Sequence, residues 1–264
     1  MTEQFVRLKE WGFEGVEVSS WEKLDGCRCK KLLSLEDDIK QAMDKSGLPV
    51  TSICGGIHFE FLDINPDKRR ADCERLANVL QLAGRLGAGG VVMVPIFHGL
   101  FNAVTPPPDL SPWKTSLEAQ KEILVAELRE LAKVAVASKT KIILEPLNRY
   151  EAPWFNRLEQ GAALCKKVNA KGIGFMADFF HMNIEETDPA AAIKKHAKFL
   201  IHVHLADNTR NQPGTGATDF ASGFAALKAI KYKGAMAFEC GITGDPAKAM
   251  PKSVAWLKEL REKA

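Results

Sequence analysis

The chain has 264 residues, 46% of them hydrophobic and 26% charged, with a formal net charge of +3. These values describe a soluble globular protein, long for one ordinary domain and normal for an α/β barrel. So small a positive excess gives little support to a nucleic-acid or membrane partner, where a basic face is expected, and no run approaches the length of a membrane-spanning helix.

The pattern opens on a helix over residues 2–11, with Phe5, Leu8 and Trp11 on one face, stopped at Gly12. Val16–Val18 predicts a short strand. Glu17 stands between its two valines and can face inward or outward, so the pattern does not place it in a site. Residues 19–31 read as a polar loop and 35–46 as a helix, with Asp37 and Asp38 in the first turn where they suit the helix dipole. A strand over 49–55 is followed by a loop carrying His58, Phe59 and Phe61. Pro66–Leu86 predicts a long helix closed by Gly87.

The next strand, 90–97, precedes His98 and an irregular loop over 101–113 that contains three consecutive prolines, Pro106–Pro108. A structureless loop of that length is a functional candidate. Residues 115–138 predict a helix with an apolar face at Leu117, Ile123, Leu124, Leu128, Leu131 and Val134. Strands over 141–146, 173–179, 200–206 and 235–240 then alternate with helices over 158–168, 189–196, 221–231 and 246–262.

Units of roughly 30–45 residues in this alternation are the rhythm of βα repeats with parallel strands. The expected fold is a TIM-type (β/α) barrel, one domain over residues 1–264, with the first strand missing from this chain. The opening helix reads as the one that ordinarily follows strand one. Seven strands leave two unpaired edges beside a slot, and unpaired edges invite a cover, so a homo-oligomer is a possible partner state. No GxGxxG or GxxxxGK[ST] motif occurs, which disfavours a dinucleotide or NTP fold.

The six cysteines, Cys27, Cys29, Cys54, Cys73, Cys165 and Cys240, include no CxxC pair. They read as free thiols of a reducing compartment. The N-terminal MTEQFVRLKEWGFEG has no signal-peptide apolar core, and the expected location is cytoplasmic.

The chemistry gathers where apolar runs end. Ile142–Leu144 leads into Glu145, and Pro146 ends the strand because it has no N–H for a ladder. IGFMADFFH ends in Asp178 and His181, LIHVHLAD carries His202 and His204, and AMAFEC carries Glu239. One polar group per strand end is how a parallel barrel builds a metal site. Glu145, Asp178, His204 and Glu239 offer oxygen and imidazole donors with no thiolate, a set that suits Mn²⁺, Mg²⁺ or Co²⁺ and can hold Zn²⁺. His202 and His204 share strand parity, and His204, nearer the C-terminal rim, is the better ligand. Any one of these groups alone reads equally well as a surface charge at a strand–loop junction; four at four successive strand ends do not.

The segments EPLNRYE, DFFHMNIEE, HVHLADNTRNQPGTG and AFE, in this order, resemble the sugar isomerase/epimerase family with the xylose-isomerase-like TIM barrel. The resemblance is strongest to the ketose 3-epimerases of the D-tagatose and D-psicose group, and it covers the chain from about Lys141 onward. It implies one divalent ion, commonly Mn²⁺, held by Glu145, Asp178, His204 and Glu239. It also implies sugar contacts at Glu151, His181 and Arg210. The implied reaction passes a proton through a cis-enediolate, with Glu145 and Glu239 as the two catalytic groups on opposite sides of a small-molecule sugar. Returning the proton to a neighbouring carbon instead makes an aldose–ketose isomerase. Trp154–Phe155 and the Pro106–Pro108 loop have no counterpart in the pattern.

Two other readings stand beside this one. A zinc-dependent AP endonuclease of the endonuclease-IV type shares the barrel, and His58 and His98 keep it in play; it lacks here the Asp-x-His pair expected after the His strand. A metal-dependent dehydratase of a keto-sugar or inositol uses similar chemistry.

Overall fold

The computed structural model describes residues 1–19, 28–57, 60–97 and 104–264. His58, His98 and the start of the proline loop lie outside the described residues. The chain begins with helix α1 (Thr2–Glu10), strand β1 (Val16–Ser19), helices α2 (Arg28–Ser34) and α3 (Glu36–Ser46), strand β2 (Val50–Ile57) and helix α4 (Pro66–Leu86). Strand β3 (Val91–Val94), helix α5 (Ser116–Ala137), strand β4 (Ile142–Leu144) and helix α6 (Leu158–Val168) follow. Strand β5 (Ile173–Asp178) runs directly into helix α7 (Phe179–Glu185), then helix α8 (Pro189–His196) and strand β6 (Leu200–Leu205). Helix α9 (Phe220–Ala229), strand β7 (Met236–Phe238) and helix α10 (Pro246–Lys263) complete it.

Helix starts follow local chemistry. Asn65 caps α4 by accepting from the Asp67 N–H, with Pro66 at the first helical position. Thr115 and Glu118 form a capping box on α5. Each such cap contributes about 1 kcal/mol. Gly47 and Gly87 end α3 and α4 with φ of 68° and 72°, a conformation that disfavours a side chain. The polar loop expected over 19–31 is shorter than the pattern implies, because α2 already begins at Arg28 and buries Leu32.

Among the described residues, seven strands form one parallel sheet in the order β1-β2-β3-β4-β5-β6-β7. As the sequence pattern implies, a helix and not a strand comes first, and the barrel is nearly closed. The free edges of β1 and β7 border a cavity of about 470 Å³, lined by Val16 and Glu17 on one side and Met236 and Phe238 on the other. Across it Phe13 meets Phe238 edge to face at 5.1 Å. Lys258 of α10 donates to the Gly12 carbonyl at 2.6 Å, so the last helix ties down the entry to β1.

Register identifies the inner face. Glu17 pairs with Ser52, Cys54 with Val92, Val92 with Ile143, Asp178 with His204, and His204 with Ala237. Because side chains alternate along a strand, Glu145, Met176, His202 and Glu239 share that face by parity. Its lower layer is apolar: Cys54, Val92, Ile143 and Met176 form a small cluster separate from the main core between sheet and helices. Glu145, Asp178, His204 and Glu239 sit above it, at or just past the C-terminal ends of their strands, while Glu17, Ser52 and His202 lie deeper on the same face.

Candidate active site

Glu145 follows β4 directly, its N–H donating to the Met93 carbonyl at 3.1 Å. Asp178 is both the last residue of β5 and the N-cap of α7. Its Oδ1 accepts from the N–H groups of Phe180 at 2.7 Å and His181 at 3.3 Å, which turns Oδ2 toward the site. The sequence pattern anticipates the acid at the strand tip but not the short helix that it caps. His204 lies beside Asp178 on β6, and Glu239 follows β7.

Donor atoms of Glu145, Asp178, His204 and Glu239 all lie within 4.8 Å of one another. His204 Nδ1 is 2.9 Å from Glu239 Oε2, 3.5 Å from Glu145 Oε1 and 3.8 Å from Asp178 Oδ2. Glu145 Oε1 is buried without a hydrogen-bond partner. An orphaned carboxylate oxygen among two other acids and an imidazole is costly, and a cation at that point offsets the cost. The donor set therefore fits a divalent ion, and the cluster is a possible metal centre.

The electrostatics match this crowding. Burial, and then the charge of Glu239, push the Glu145 carboxyl above its ordinary range. Burial also opposes ionisation of Asp178, but His181, Arg210 and His204 outweigh it and hold Asp178 below the usual range. Burial disfavours a charged His204, yet the surrounding Glu17, Glu145 and Glu239 carboxyls raise it well above normal.

The three residues implied as sugar contacts are adjacent. Arg210 donates from Nη1 to Asp178 Oδ2 at 2.9 Å and from Nη2 to Glu239 Oε2 at 2.5 Å. Its guanidinium lies 4.6 Å from the Phe180 ring centre, and Nη1 is 3.3 Å from His181 Nε2. Arg210 reaches this point from a backbone with φ of 59°, in a loop wound around Asp207. Both Asp207 oxygens accept backbone N–H groups, from Asn208 and Thr218 on one and from Gly214, Thr215 and Gly216 on the other. Glu151 joins through Asn148, whose Nδ2 donates to Glu151 Oε1 at 2.7 Å and lies 2.9 Å from His181 Nδ1. Of the segments without a counterpart, Trp154 packs edge to face on the buried Phe155.

One residue enters that the sequence left unplaced. Glu17 crosses the barrel interior to β6, with Oε1 2.9 Å from His204 Nε2 and Oε2 2.9 Å from His202 Nε2. Ser52 Oγ donates to the same Oε2 at 2.7 Å. Burial opposes its charge, but His204 and His202 outweigh burial and hold Glu17 well below the usual carboxylate range. The signal available was indirect: an acid between two valines, and an inward histidine, His202, with no acceptor in view.

The first half of the chain, which the sequence motifs reach only in rhythm, is covered by similarity to known proteins. A 3-dehydro-D-guloside 4-epimerase of Escherichia coli (strain K12) is 36% identical over 257 residues, 97% of this chain and 93% of that protein. A D-psicose 3-epimerase of Enterocloster bolteae is 39% identical over 115 residues, 44% of this chain and 38% of that protein. The crystal structure of a 3-keto-D-glucoside 4-epimerase from E. coli, in its apo form, superposes with a TM-score of 0.84 at 33% identity, covering 98% of this chain and 94% of that one. The family described as xylose isomerase-like TIM barrel matches residues 5–260, and the chain belongs to it.

Proposed function

We propose that the chain is a divalent-metal-dependent sugar epimerase that inverts a carbon next to a ketone by proton transfer through a cis-enediolate. The observation that carries this reading is the meeting of two glutamates, Glu145 from β4 and Glu239 from β7, at one cluster with Arg210 and His181 beside them. Strands β5 and β6 lie between those two glutamates in the sheet, so they approach the shared space from different sides.

Glu145, Asp178, His204 and Glu239 would hold the ion, with Mn²⁺ the expected metal. When bound, the ion supplies Lewis-acid polarisation of a carbonyl oxygen and offsets the mutual repulsion of the acids. One of Glu145 and Glu239 removes the proton from the carbon adjoining the carbonyl, and the other delivers a proton to the opposite face. Arg210 Nη1 and Nη2 donate to developing negative charge on the sugar oxygens. His181 and Glu151, both held by Asn148, orient hydroxyl groups. The location we propose is cytoplasmic, consistent with Cys73, Cys165 and Cys240 standing outside any disulfide.

Two substrate classes share this chemistry, free ketoses inverted at C3 and 3-keto-glycosides inverted at C4. The second is favoured by a relative and a solved structure that each cover nearly the whole chain. The endonuclease reading is disfavoured, because these relatives are sugar epimerases.

The test is proton NMR of the Mn²⁺-loaded protein in D₂O with D-fructose, L-ribulose and a 3-keto-glucoside as separate substrates. Deuterium incorporation at the inverted carbon, with both epimers present, is the expected result. No exchange on any ketone substrate, with nicking of abasic DNA, would replace this reading with the endonuclease one.

A further inference from the structure

We infer that Glu17 is a positioning residue that fixes the orientation of His204, turning its Nδ1 lone pair toward the acid cluster by taking a hydrogen bond from Nε2–H. The inference rests on the proposed function in one respect, that His204 is a metal ligand.

The geometry begins with a fully buried ring. His204 has its two nitrogens in different company: Nδ1 faces Glu239, Glu145 and Asp178, and Nε2 faces Glu17 Oε1 at 2.9 Å. A neutral imidazole carries one N–H and one lone pair, and the hydrogen bond at one nitrogen decides which the other presents. A carboxylate has only acceptors to offer. Nδ1 also faces a carboxylate, Glu239 Oε2 at 2.9 Å, so the two nitrogens differ once a cation sits among the acids: Nδ1 then gives its lone pair to the cation, and Glu17 holds the remaining proton on Nε2. A carboxylate behind a ligating imidazole also makes it a stronger donor.

Glu17 is itself held in place. Ser52 donates to Oε2 at 2.7 Å, and His202 Nε2 is 2.9 Å from the same oxygen. Both Oε atoms are thus engaged, so the carboxylate plane cannot turn without losing a partner on a third or fourth residue. This also gives a use to His202, which lies below the cluster and touches none of its acids among the contacts above. The backbone assists: the β1–β2 register shifts between Val16 and Glu17, an irregularity that sets the Glu17 side chain opposite Ser52.

The discriminating variant is Glu17→Gln, which keeps the size and an oxygen acceptor but adds an N–H₂ that faces either His204 or the Ser52–His202 pair. Two readouts are taken on purified protein. Isothermal titration calorimetry with MnCl₂ measures affinity without substrate. Nitrogen-15 NMR of histidine-labelled, Zn²⁺-loaded protein reports which nitrogen of His204 carries the proton. Wild-type protein is expected to show the Nε2–H form, and Glu17→Gln to bind Mn²⁺ about 10- to 100-fold more weakly with its circular dichroism unchanged. Wild-type affinity in Glu17→Gln, or a His204 protonated at Nδ1 in the wild type, overturns the inference. The NMR measurement needs only the wild type, so an unfolded variant does not shelter the idea. Failure of wild-type protein to bind Mn²⁺, Co²⁺ or Zn²⁺ at all is a different result, which refutes the metal reading and the inference with it.

Discussion

Asn148 and His181 meet at a single ring nitrogen: the Asn148 backbone N–H donates to His181 Nδ1 at 3.2 Å, and its Nδ2 lies 2.9 Å away from the same atom. The backbone donor makes Nδ1 the acceptor. A neutral His181 then carries its proton on Nε2, 3.7 Å from Asp178 Oδ2 and 3.8 Å from Glu145 Oε1; Arg210 Nη1, 3.3 Å away, is itself a donor and takes no bond from it. His181 thereby presents a donor to a sugar oxygen. Asn148→Ala removes the link from His181 to Glu151 while leaving the backbone donor in place. The expected cost is about 1 kcal/mol, roughly a fivefold loss in kcat/KM carried mostly by KM. Steady-state kinetics on whichever ketone shows exchange measures it, and an unchanged KM would remove Asn148 from substrate positioning.

Glu145→Gln and Glu239→Gln are each expected to lower epimerisation by about 10²–10⁴-fold, the usual loss when a positioned proton-transfer group is removed. The two variants should differ in D₂O. Whichever glutamate removes the proton, its loss abolishes deuterium exchange from that epimer, whereas loss of the partner leaves exchange with retention. Near-full activity in either variant with metal bound would end the two-glutamate mechanism.

Arg210→Lys keeps the charge and loses the fork. The guanidinium reaches Asp178 and Glu239 with separate nitrogens and lies against Phe180. A single ammonium cannot hold both acids or stack in the same way. Losing one charge-assisted hydrogen bond costs about 1.5–3 kcal/mol. That corresponds to a fall of roughly tenfold to over a hundredfold in kcat/KM, read at saturating Mn²⁺ because Arg210 also holds two of the proposed ligands, Asp178 and Glu239.

The strand-end acids were readable because a buried parallel strand is a short apolar run, and a polar residue at its end is conspicuous. Ile142–Leu144 followed by Glu145-Pro146 is the plainest case. His204 and His202 share parity, and nearness to the rim is what separates them; in the structure His204 Nδ1 faces Glu145, Asp178 and Glu239, while His202 Nε2 faces Glu17. Glu17 was not readable in the same way. Both faces of a barrel strand are buried, so an acid between valines carries no sign of which face it joins. Its partners His202 and His204 lie 185 and 187 residues further along the chain. Helix α7 was hidden for another reason: Asp178 ends a strand and caps a helix at once, leaving no loop between the two patterns.

Asp207 connects stability to the site, and its charge makes that connection depend on pH. Five backbone N–H groups converge on its two oxygens, and the loop they shape carries Arg210. Burial opposes ionisation here, but the N–H groups of Thr218, Gly216 and Asn208 outweigh it and lower the pKa from its ordinary value. A depressed folded-state pKa means that the unfolded chain takes up the proton first. The contribution is therefore complete above the unfolded value of about 3.9, and it is lost as pH falls through the lower folded value. Asp207→Asn has no such proton and turns an N–H₂ toward backbone donors on one side. We expect it to cost about 2–4 kcal/mol at neutral pH, seen as a lower Tm together with weaker turnover, since the loop under Arg210 loosens. The difference in Tm between wild type and variant should be constant from pH 7 to pH 5 and shrink below about pH 4. A gap that persists undiminished into acid would mean that the carboxylate charge is not what holds the loop.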